Sequence, residues 1–169
     1  GSIGDCGCLS FFPAKTLGCY GDGGMVVTSD DKCAATLRML RNHGSRAKYI
    51  YALHGFNSRL DTMQAAILRV KLRHIDAWID RRIANARYYN RAFAGTPGVV
   101  VPSVFDDRRH TFNYYTLRVA GRRDQVQERL KEKQIPSAVY YPLSLHMQEV
   151  YRGLGYAAGD FPVSERMQQ

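Results

Sequence analysis

Residues 10–24 read Ser-Phe-Phe-Pro-Ala-Lys-Thr-Leu-Gly-Cys-Tyr-Gly-Asp-Gly-Gly and decide how the whole chain is interpreted. One lysine, Lys15, stands between an apolar run and a turn with four glycines. Glycine permits backbone angles and close ligand approach that side chains block. Apolar surroundings favour the neutral form of a lysine amine, and a neutral amine attacks a carbonyl carbon to form a Schiff base. Lys15 is therefore a candidate nucleophile, with an ordinary solvated lysine as the plain alternative.

Three further blocks follow the lysine segment along the chain. They read Arg-Asn-His-Gly at 41–44, Gly-Phe-Asn-Ser-Arg-Leu-Asp at 55–61 and Tyr-Tyr-Pro at 140–142. Together the four blocks resemble the sugar aminotransferases of the DegT/DnrJ/EryC1/StrS family, in the family's order and over nearly the whole chain. The resemblance implies an α/β protein with the type I fold of transferases that use pyridoxal 5'-phosphate (PLP). It also implies that Lys15 carries PLP as a Schiff base.

The resemblance has consequences for domain organisation. Members of the family are much longer than 169 residues, so we expect the chain to be the C-terminal half of such an enzyme, slightly clipped and inactive alone. Residues 1–95 would be the end of the large PLP-binding domain with its long connecting helix, and residues 96–169 a small α+β domain. The turn Gly95-Thr96-Pro97-Gly98 supports a boundary there. The aspartate that pairs with the PLP ring nitrogen in relatives would lie upstream.

The resemblance also assigns residues to the cofactor and the substrate. Ser10 is expected to donate its hydroxyl to the PLP phosphate. Asn57 is expected to reach the phosphate of the other subunit's cofactor in a homodimer with shared active sites. Arg59 is expected to bind a carboxylate or phosphate of the substrate through its guanidinium. The plain alternatives are a serine that ends a strand, a turn asparagine and an arginine paired with Asp61.

A second group of expected substrate residues lies late in the chain. Tyr140, Tyr141 and His146 fall in a block that lines the nucleotide portion of the substrate in several relatives, where an aromatic ring can stack on a base. Because the two tyrosines alternate along a predicted strand, we expect one to face the ligand and the other to lie in the core.

The reaction implied by the resemblance is the transamination of a nucleotide-linked ketosugar to an aminosugar. L-Glutamate is the expected amino donor, and surface-polysaccharide or related sugar biosynthesis is the expected setting. Two alternatives remain open: a PLP-dependent sugar dehydratase and a noncatalytic binding or assembly module.

Charge and hydropathy narrow the classes of partner. The chain carries 24 basic and 15 acidic residues, a formal net charge of +9, which attracts anions such as nucleic acid, membrane headgroups, a phosphorylated cofactor or a nucleotide sugar. The arginines are scattered and no nucleic-acid-binding motif is present, so we expect neither nucleic acid nor a membrane as partner. The sequence shows no signal peptide and no apolar run of about 18 residues, which predicts a cytoplasmic location.

The four cysteines, at positions 6, 8, 19 and 33, lie early in the chain. Their spacing lacks the Cys-x-x-Cys pairs typical of zinc sites. We therefore expect buried reduced thiols and no metal.

Hydrophobic spacing predicts alternating strands and helices in the first half. Strands are expected over 7–12 and 25–28, and a helix from about 30 to 41. Residues 44–56 lack a clear period and predict an ordered loop or a partner-contacting segment. The apolar residues then recur every three or four positions from Arg59 to Phe93, which predicts a long amphipathic helix with a break near Ile75.

Beyond the glycine-proline turn, the pattern predicts a β-β-α-β order. Strands are expected over 99–101, 112–119 and 137–141, with a helix over 124–134. A further helical segment is expected around 145–154.

Overall fold

The structure is a computed structural model that describes residues 3–168. The chain divides into two compact units. The first contains the described chain up to Asn85 together with His110–Asn113, and the second contains Ala86–Arg109 and the chain from Tyr114 onward. This division falls upstream of the glycine-proline turn, because one helix contributes residues to both units. The domain boundary after residue 95 stays a prediction.

A short antiparallel hairpin and a capped helix begin the first unit. Strand β1 (Gly7–Ser10) pairs with β2 (Gly24–Val27), so that Ser10 lies opposite Gly24. Helix α1 spans Asp31–Leu40. The Asp30 carboxylate accepts the N–H groups of Lys32 and Cys33 at 2.7 and 3.0 Å, donors that have no partner inside the helix. The predicted strands and helix are confirmed, with shorter strands.

A second hairpin occupies the segment predicted as an ordered or partner-contacting loop. Strands β3 (Ser45–Ala47) and β4 (Ile50–Tyr51) pair antiparallel with an irregular register. The base of this hairpin requires Gly44, which has φ +74° and whose added Cβ would lie 1.7 Å from the Leu53 carbonyl oxygen. The segment is therefore ordered, as expected, and its contact with a partner stays a prediction.

The long helical stretch is built as two helices. Helix α2 spans Thr62–Leu72 and α3 spans Ile75–Phe93, which confirms the break near Ile75. Leu68 of α2 packs with Phe11 and Cys19 in the core of the first unit. Burial of such side chains is the main stabilising contribution in a small core. The same core therefore holds both ends of the segment that carries Lys15.

The second unit contains little regular structure. Besides the end of α3 from Ala86 onward, it contains β5 (Val99–Val100), β6 (Arg118–Val119), α4 (Arg123–Glu132), two 3₁₀ segments at Leu145–Met147 and Glu149–Leu154, and α5 (Pro162–Met167). Strands β5 and β6 pair antiparallel.

Three predictions for the later part of the chain need correction. The expected strand over 112–119 shortens to β6, because only Arg118 and Val119 pair with β5. The expected strand over 137–141 is wrong, because an apolar alternation forms a strand only where a neighbouring strand offers a hydrogen-bonding edge, and β5 and β6 pair only with each other in the described chain. The expected helix around 145–154 is replaced by the two 3₁₀ segments. The helix over 124–134 is confirmed as α4.

The cysteines differ in burial. Cys19 is 1% exposed, whereas Cys6 and Cys8 are exposed and Cys33 is intermediate. The expectation of buried thiols is right for Cys19 and wrong for Cys6 and Cys8. Cys8 lies in β1, which within residues 3–168 pairs with β2 alone, so the faces of this strand stay open. Within residues 3–168, the acidic, histidine and cysteine side chains form no cluster of three suited to a metal ion.

Across the same residues, every helix is too short or too polar to cross a membrane.

Candidate active site

Lys15 lies on a loop between β1 and β2 that is closed by backbone hydrogen bonds. The Phe11 N–H donates to the Gly23 carbonyl, and the Cys19 N–H donates to the Phe11 carbonyl, each at 2.8 Å. The Lys15 N–H donates to the Phe12 carbonyl at 2.8 Å and closes a tight turn. The Lys15 side chain is half-buried. The loop therefore holds this lysine at a defined place.

Gly18 lets the loop fold back onto the turn that contains Lys15. A Cβ at Gly18 would lie 2.6 Å from the Pro13 carbonyl oxygen and 2.8 Å from that of Phe12. Contacts this short do not occur in real structures, so only glycine fits at this position. We expected the glycines of this segment to permit the close approach of a ligand. At Gly18 the missing side chain instead lets the loop approach its own Phe12–Lys15 turn.

A segment from much later in the chain packs against the same loop. The Thr16 hydroxyl donates to the Asn113 Oδ1 at 3.2 Å. The Arg82 guanidinium donates to the carbonyls of Phe112 and Asn113 at 3.2 and 3.3 Å. Sequence reasoning missed Thr16 and Asn113, because no local signal shows that residues 97 positions apart come into contact.

A groove of about 1120 Å³ runs along the β1–β2 hairpin, α1 and the segment that leads into α2. Three of the predicted site residues line it: Ser10, Asn57 and Arg59. Phe12 lines it as well, and Lys15 lies in the turn that follows Phe12. The structure thus brings three hydrogen-bond donors into one concavity next to the lysine turn.

Ser10 stands at the end of β1, opposite Gly24. Its Oγ accepts a long hydrogen bond of 3.4 Å from the Phe12 N–H, and the residue is exposed. A hydroxyl that accepts one bond keeps its own proton for donation. The side chain can therefore donate to an anion in the groove.

Backbone pairing fixes Asn57 and Arg59. Asn57 forms a β-bridge with Asn42, flanked by hydrogen bonds from His43 N–H to the Phe56 carbonyl at 2.8 Å and from Ser58 N–H to the Arg41 carbonyl at 2.9 Å. The Arg59 guanidinium donates to the Asn42 Oδ1 at 2.9 Å. The alternative interpretation from the sequence had expected Asp61 as its partner. A guanidinium has five N–H donors, so this bond orients the group and leaves others for an anion.

Tyr140 and Tyr141 belong to an aromatic cluster in the second unit. The ring centroids of Tyr114 and Tyr140 lie 4.6 Å apart, and those of Tyr140 and Tyr141 lie 5.2 Å apart. Tyr140 is 44% exposed and Tyr141 is 71% exposed, so the expectation that one of them is core is wrong. The hydrogen bond with Tyr114, followed by partial desolvation, raises the pKa of Tyr140 above its ordinary value.

His146 is held by a carboxylate. Its side chain is 7% exposed, and its Nε2 lies 2.9 Å from the Glu165 Oε1. Glu165 also accepts the N–H of Gly159 at 2.9 Å and of Phe161 at 3.3 Å. The Gly159 N–H, and after it the His146 side chain and the Phe161 N–H, hold the pKa of the Glu165 carboxyl below its usual range against the opposing effect of desolvation. His146 therefore belongs to a polar cluster in the second unit.

These features agree with the comparisons to known proteins. The sequence model of the DegT/DnrJ/EryC1/StrS aminotransferase family matches residues 1–169. The chain therefore belongs to this family, as its motifs indicated.

Two relatives and one solved structure illustrate the match. The pleiotropic regulatory protein of Geobacillus stearothermophilus is 48% identical over 168 residues, covering 98% of this chain and 45% of the relative. The dTDP-3-amino-3,4,6-trideoxy-alpha-D-glucose transaminase of Streptomyces venezuelae is 44% identical over 157 residues, covering 93% and 41%. The crystal structure of S. venezuelae DesV in complex with a ketimine intermediate has a TM-score of 0.90 and 42% identity, over 96% of this chain and 44% of that one.

The chain thus spans less than half the length of these two relatives. The predicted fold is confirmed, since this chain has the fold of the corresponding part of a solved relative.

Proposed function

We propose that the intact protein is a PLP-dependent aminotransferase that converts a nucleoside-diphosphate-linked ketosugar to an aminosugar, with L-glutamate as donor. The observation that carries this proposal is the half-buried Lys15 on a closed loop, beside a groove lined by hydroxyl, amide and guanidinium donors. Membership of the aminotransferase family supports it. The cytoplasmic location expected from the sequence is part of the same proposal.

The groups present fit PLP, which has a phosphate, an aldehyde and a pyridine ring. Ser10 lines the groove and supplies a hydroxyl donor that suits a phosphate, and Arg59 lines it with a guanidinium that suits a phosphate or a carboxylate. Gly23 and Gly24 line the same groove without side chains that would fill it. Lys15 supplies the amine that an aldehyde requires.

When bound, PLP supplies an electron sink that stabilises negative charge at the donor's α-carbon. Lys15 would hold the cofactor's aldehyde carbon through its Nζ, and the same amine would take the donor's α-proton as a general base and return a proton as a general acid. Ser10 would bind the phosphate of this subunit's cofactor, Asn57 would bind that of the partner copy's cofactor, and Arg59 would bind a carboxylate or phosphate of the substrate. The closed loop holds the turn that carries Lys15 at a defined place.

The proposal includes a homodimer in which Asn57 serves the site of the partner copy. The β3–β4 hairpin, which adjoins the pairing that fixes Asn57, exposes Tyr49, Ile50 and Tyr51 by 61–78%. Exposed apolar side chains that cluster in this way are typical of a surface covered by another protein. A second copy would bury them and bring Asn57 to its site.

The proposed sugar is a 3-ketosugar carried on dTDP or UDP. The S. venezuelae relative is named for an amino group at carbon 3 of a dTDP-sugar. In the second unit, the exposed rings of Tyr140 and Tyr141 offer faces on which a nucleobase can stack, and His146 stays a predicted substrate residue beside Glu165.

A turnover assay with the intact protein tests the proposal. L-Glutamate and a dTDP-3-ketosugar are supplied, and 2-oxoglutarate and the aminosugar are measured by mass spectrometry. We expect equal amounts of the two products from the wild-type protein. Lys15→Ala should reduce turnover at least about a thousandfold, because it removes both the covalent attachment and the proton carrier. Lys32→Met, which removes an exposed lysine on α1, is the control and should keep wild-type turnover.

The same assay separates two other functions. Loss of water from the sugar without gain of nitrogen would indicate a dehydratase. The Geobacillus relative is named a regulatory protein, which favours a noncatalytic role as the second candidate. That role predicts no turnover and no bound PLP, and normal turnover in the Lys15→Ala variant would contradict the proposed mechanism.

A further inference from the structure

One face of α2 holds the loop that follows Lys15. Gln64, Leu68 and Lys71 are four and three residues apart, so they lie on the same side of this helix. The Tyr20 N–H donates to the Gln64 Oε1 at 2.9 Å. Leu68 is 7% exposed and packs in the core with Phe11 and Cys19. Two of these three contacts are a neutral hydrogen bond and an apolar contact.

Lys71 makes the third contact, and it is the only charged one of the three. Its Nζ donates to the Gly18 carbonyl oxygen at 2.5 Å and lies 4.4 Å from the centroid of the Tyr20 ring. A hydrogen bond from an ammonium is about twice as strong as a neutral one. A cation over an aromatic face adds a further attraction. One ammonium thus binds two residues of the loop.

The position of Gly18 connects this contact to Lys15. Gly18 is buried, and its Cα lies so close to the Phe12–Lys15 turn that a Cβ would lie 2.6 Å from the Pro13 carbonyl oxygen. The loop cannot relax toward the turn, because the backbone already fills that space. A bond that fixes the Gly18 carbonyl against α2 therefore fixes the turn on which Lys15 stands.

We infer that Lys71 is a positioning residue for Lys15. Its ammonium fixes the Gly18 carbonyl and the Tyr20 ring on α2, and this holds the Lys15 amine where PLP is attached. The inference rests on the proposed function for the identity of the attached group. The neighbouring Arg69 and Arg73 of the same helical stretch are exposed, whereas Lys71 is half-buried against the loop. If this helix face were simply solvated, Lys71 would be as exposed as the two arginines.

Hydrogen exchange of the cofactor-free intact protein tests the inference without using activity. In the Lys71→Met variant, the peptide over 16–21 should exchange about tenfold faster, because loss of a charged hydrogen bond opens the loop more often. The peptide over 31–40, in α1, should exchange at the wild-type rate. Lys71→Arg keeps the charge and N–H donors and should return most of the protection. Lys32→Met should behave as wild type in both peptides.

A second measurement tests whether the order of the loop affects the rate of cofactor attachment. The rate at which added PLP becomes covalently bound to Lys15 should fall about tenfold in Lys71→Met, in parallel with the exchange rate. Tyr20→Ala, at a residue that is 75% exposed, removes only the ring contact and should move both quantities in the same direction by less. This variant gives an answer even if Lys71→Met fails to fold.

The outcomes separate the inference from the proposed function. Equal exchange of 16–21 in wild type and in Lys71→Met overturns the inference, as does an equal rise in 31–40, which would show a general loss of stability. If PLP attaches covalently to Lys15 in the wild-type protein and attaches at the same rate in Lys71→Met, the proposed function stands and the inference is overturned. No covalent PLP on wild-type Lys15 overturns the proposed function itself.

Discussion

Lys15 could be selected from its neighbours in the sequence, but the groups that hold it could not. The apolar run before it and the glycines after it form a local pattern that a reader can recognise. The contacts from Lys71 and Asn113 arise from packing between distant segments, which no local spacing reveals. The sequence therefore marks the candidate nucleophile, and the structure shows which groups hold its loop.

Glu165 provides a pH test of the polar cluster in the second unit. Its pKa is lowered in the folded protein, first by the Gly159 N–H and then by His146 and Phe161. A lowered folded-state pKa gives stability that is present above the ordinary value of 4.5 and is lost as the pH falls through the folded-state pKa. We expect Glu165→Gln to lower the thermal midpoint of the intact protein at neutral pH. The difference from wild type should shrink toward zero in acid.

Glu149→Gln is the control for this prediction. Glu149 forms an exposed pair with Arg152 at 3.4 Å, and such pairs contribute little to stability. Its effect on the midpoint should be small at every pH. A difference between wild type and Glu165→Gln that stays constant from neutral to acid pH would show that the carboxylate charge is not what stabilises the cluster.

Helices were predicted better than strands, for a physical reason. A helix makes its hydrogen bonds within one segment, so spacing and caps were enough to place α1, α4 and the break between α2 and α3. A strand needs a partner elsewhere in the chain. Spacing alone therefore predicted a strand over 112–119 where β6 is much shorter, and a strand over 137–141 that does not form. The β3–β4 hairpin was missed because its strands are only three and two residues long.

The base of that hairpin gives a stability prediction. Gly44→Ala places a Cβ 1.7 Å from the Leu53 carbonyl oxygen at a residue with φ +74°, so the two crossing segments must separate. We expect the free energy of unfolding to fall by about 3 kcal/mol. Urea unfolding of the intact protein measures the change.

Gly153→Ala is a matched control, because Gly153 has open space around its Cα and an ordinary φ. It should change the free energy of unfolding by less than about 0.5 kcal/mol. Equal stability of the Gly44→Ala protein and wild type would contradict the close crossing at the hairpin base.

The predicted site residues are divided between the two units. Lys15, Ser10, Asn57 and Arg59 belong to the first unit, whereas Tyr140, Tyr141 and His146 belong to the second. Large apolar side chains line the groove with substantial exposure, among them Phe12 at 52% and Phe56 at 67%. Exposure of this kind is typical of a surface that other protein covers. The chain spans less than half the length of two relatives that it matches.

The most direct test of the central claim is chemical trapping at Lys15. The intact protein is incubated with PLP, reduced with borohydride, digested and mapped by mass spectrometry. We predict a phosphopyridoxyl group on Lys15 in the peptide that contains Phe12 and Gly18, and none there in the Lys15→Ala variant. An intact, folded protein that carries no such group, or carries it only on another lysine, would contradict the account.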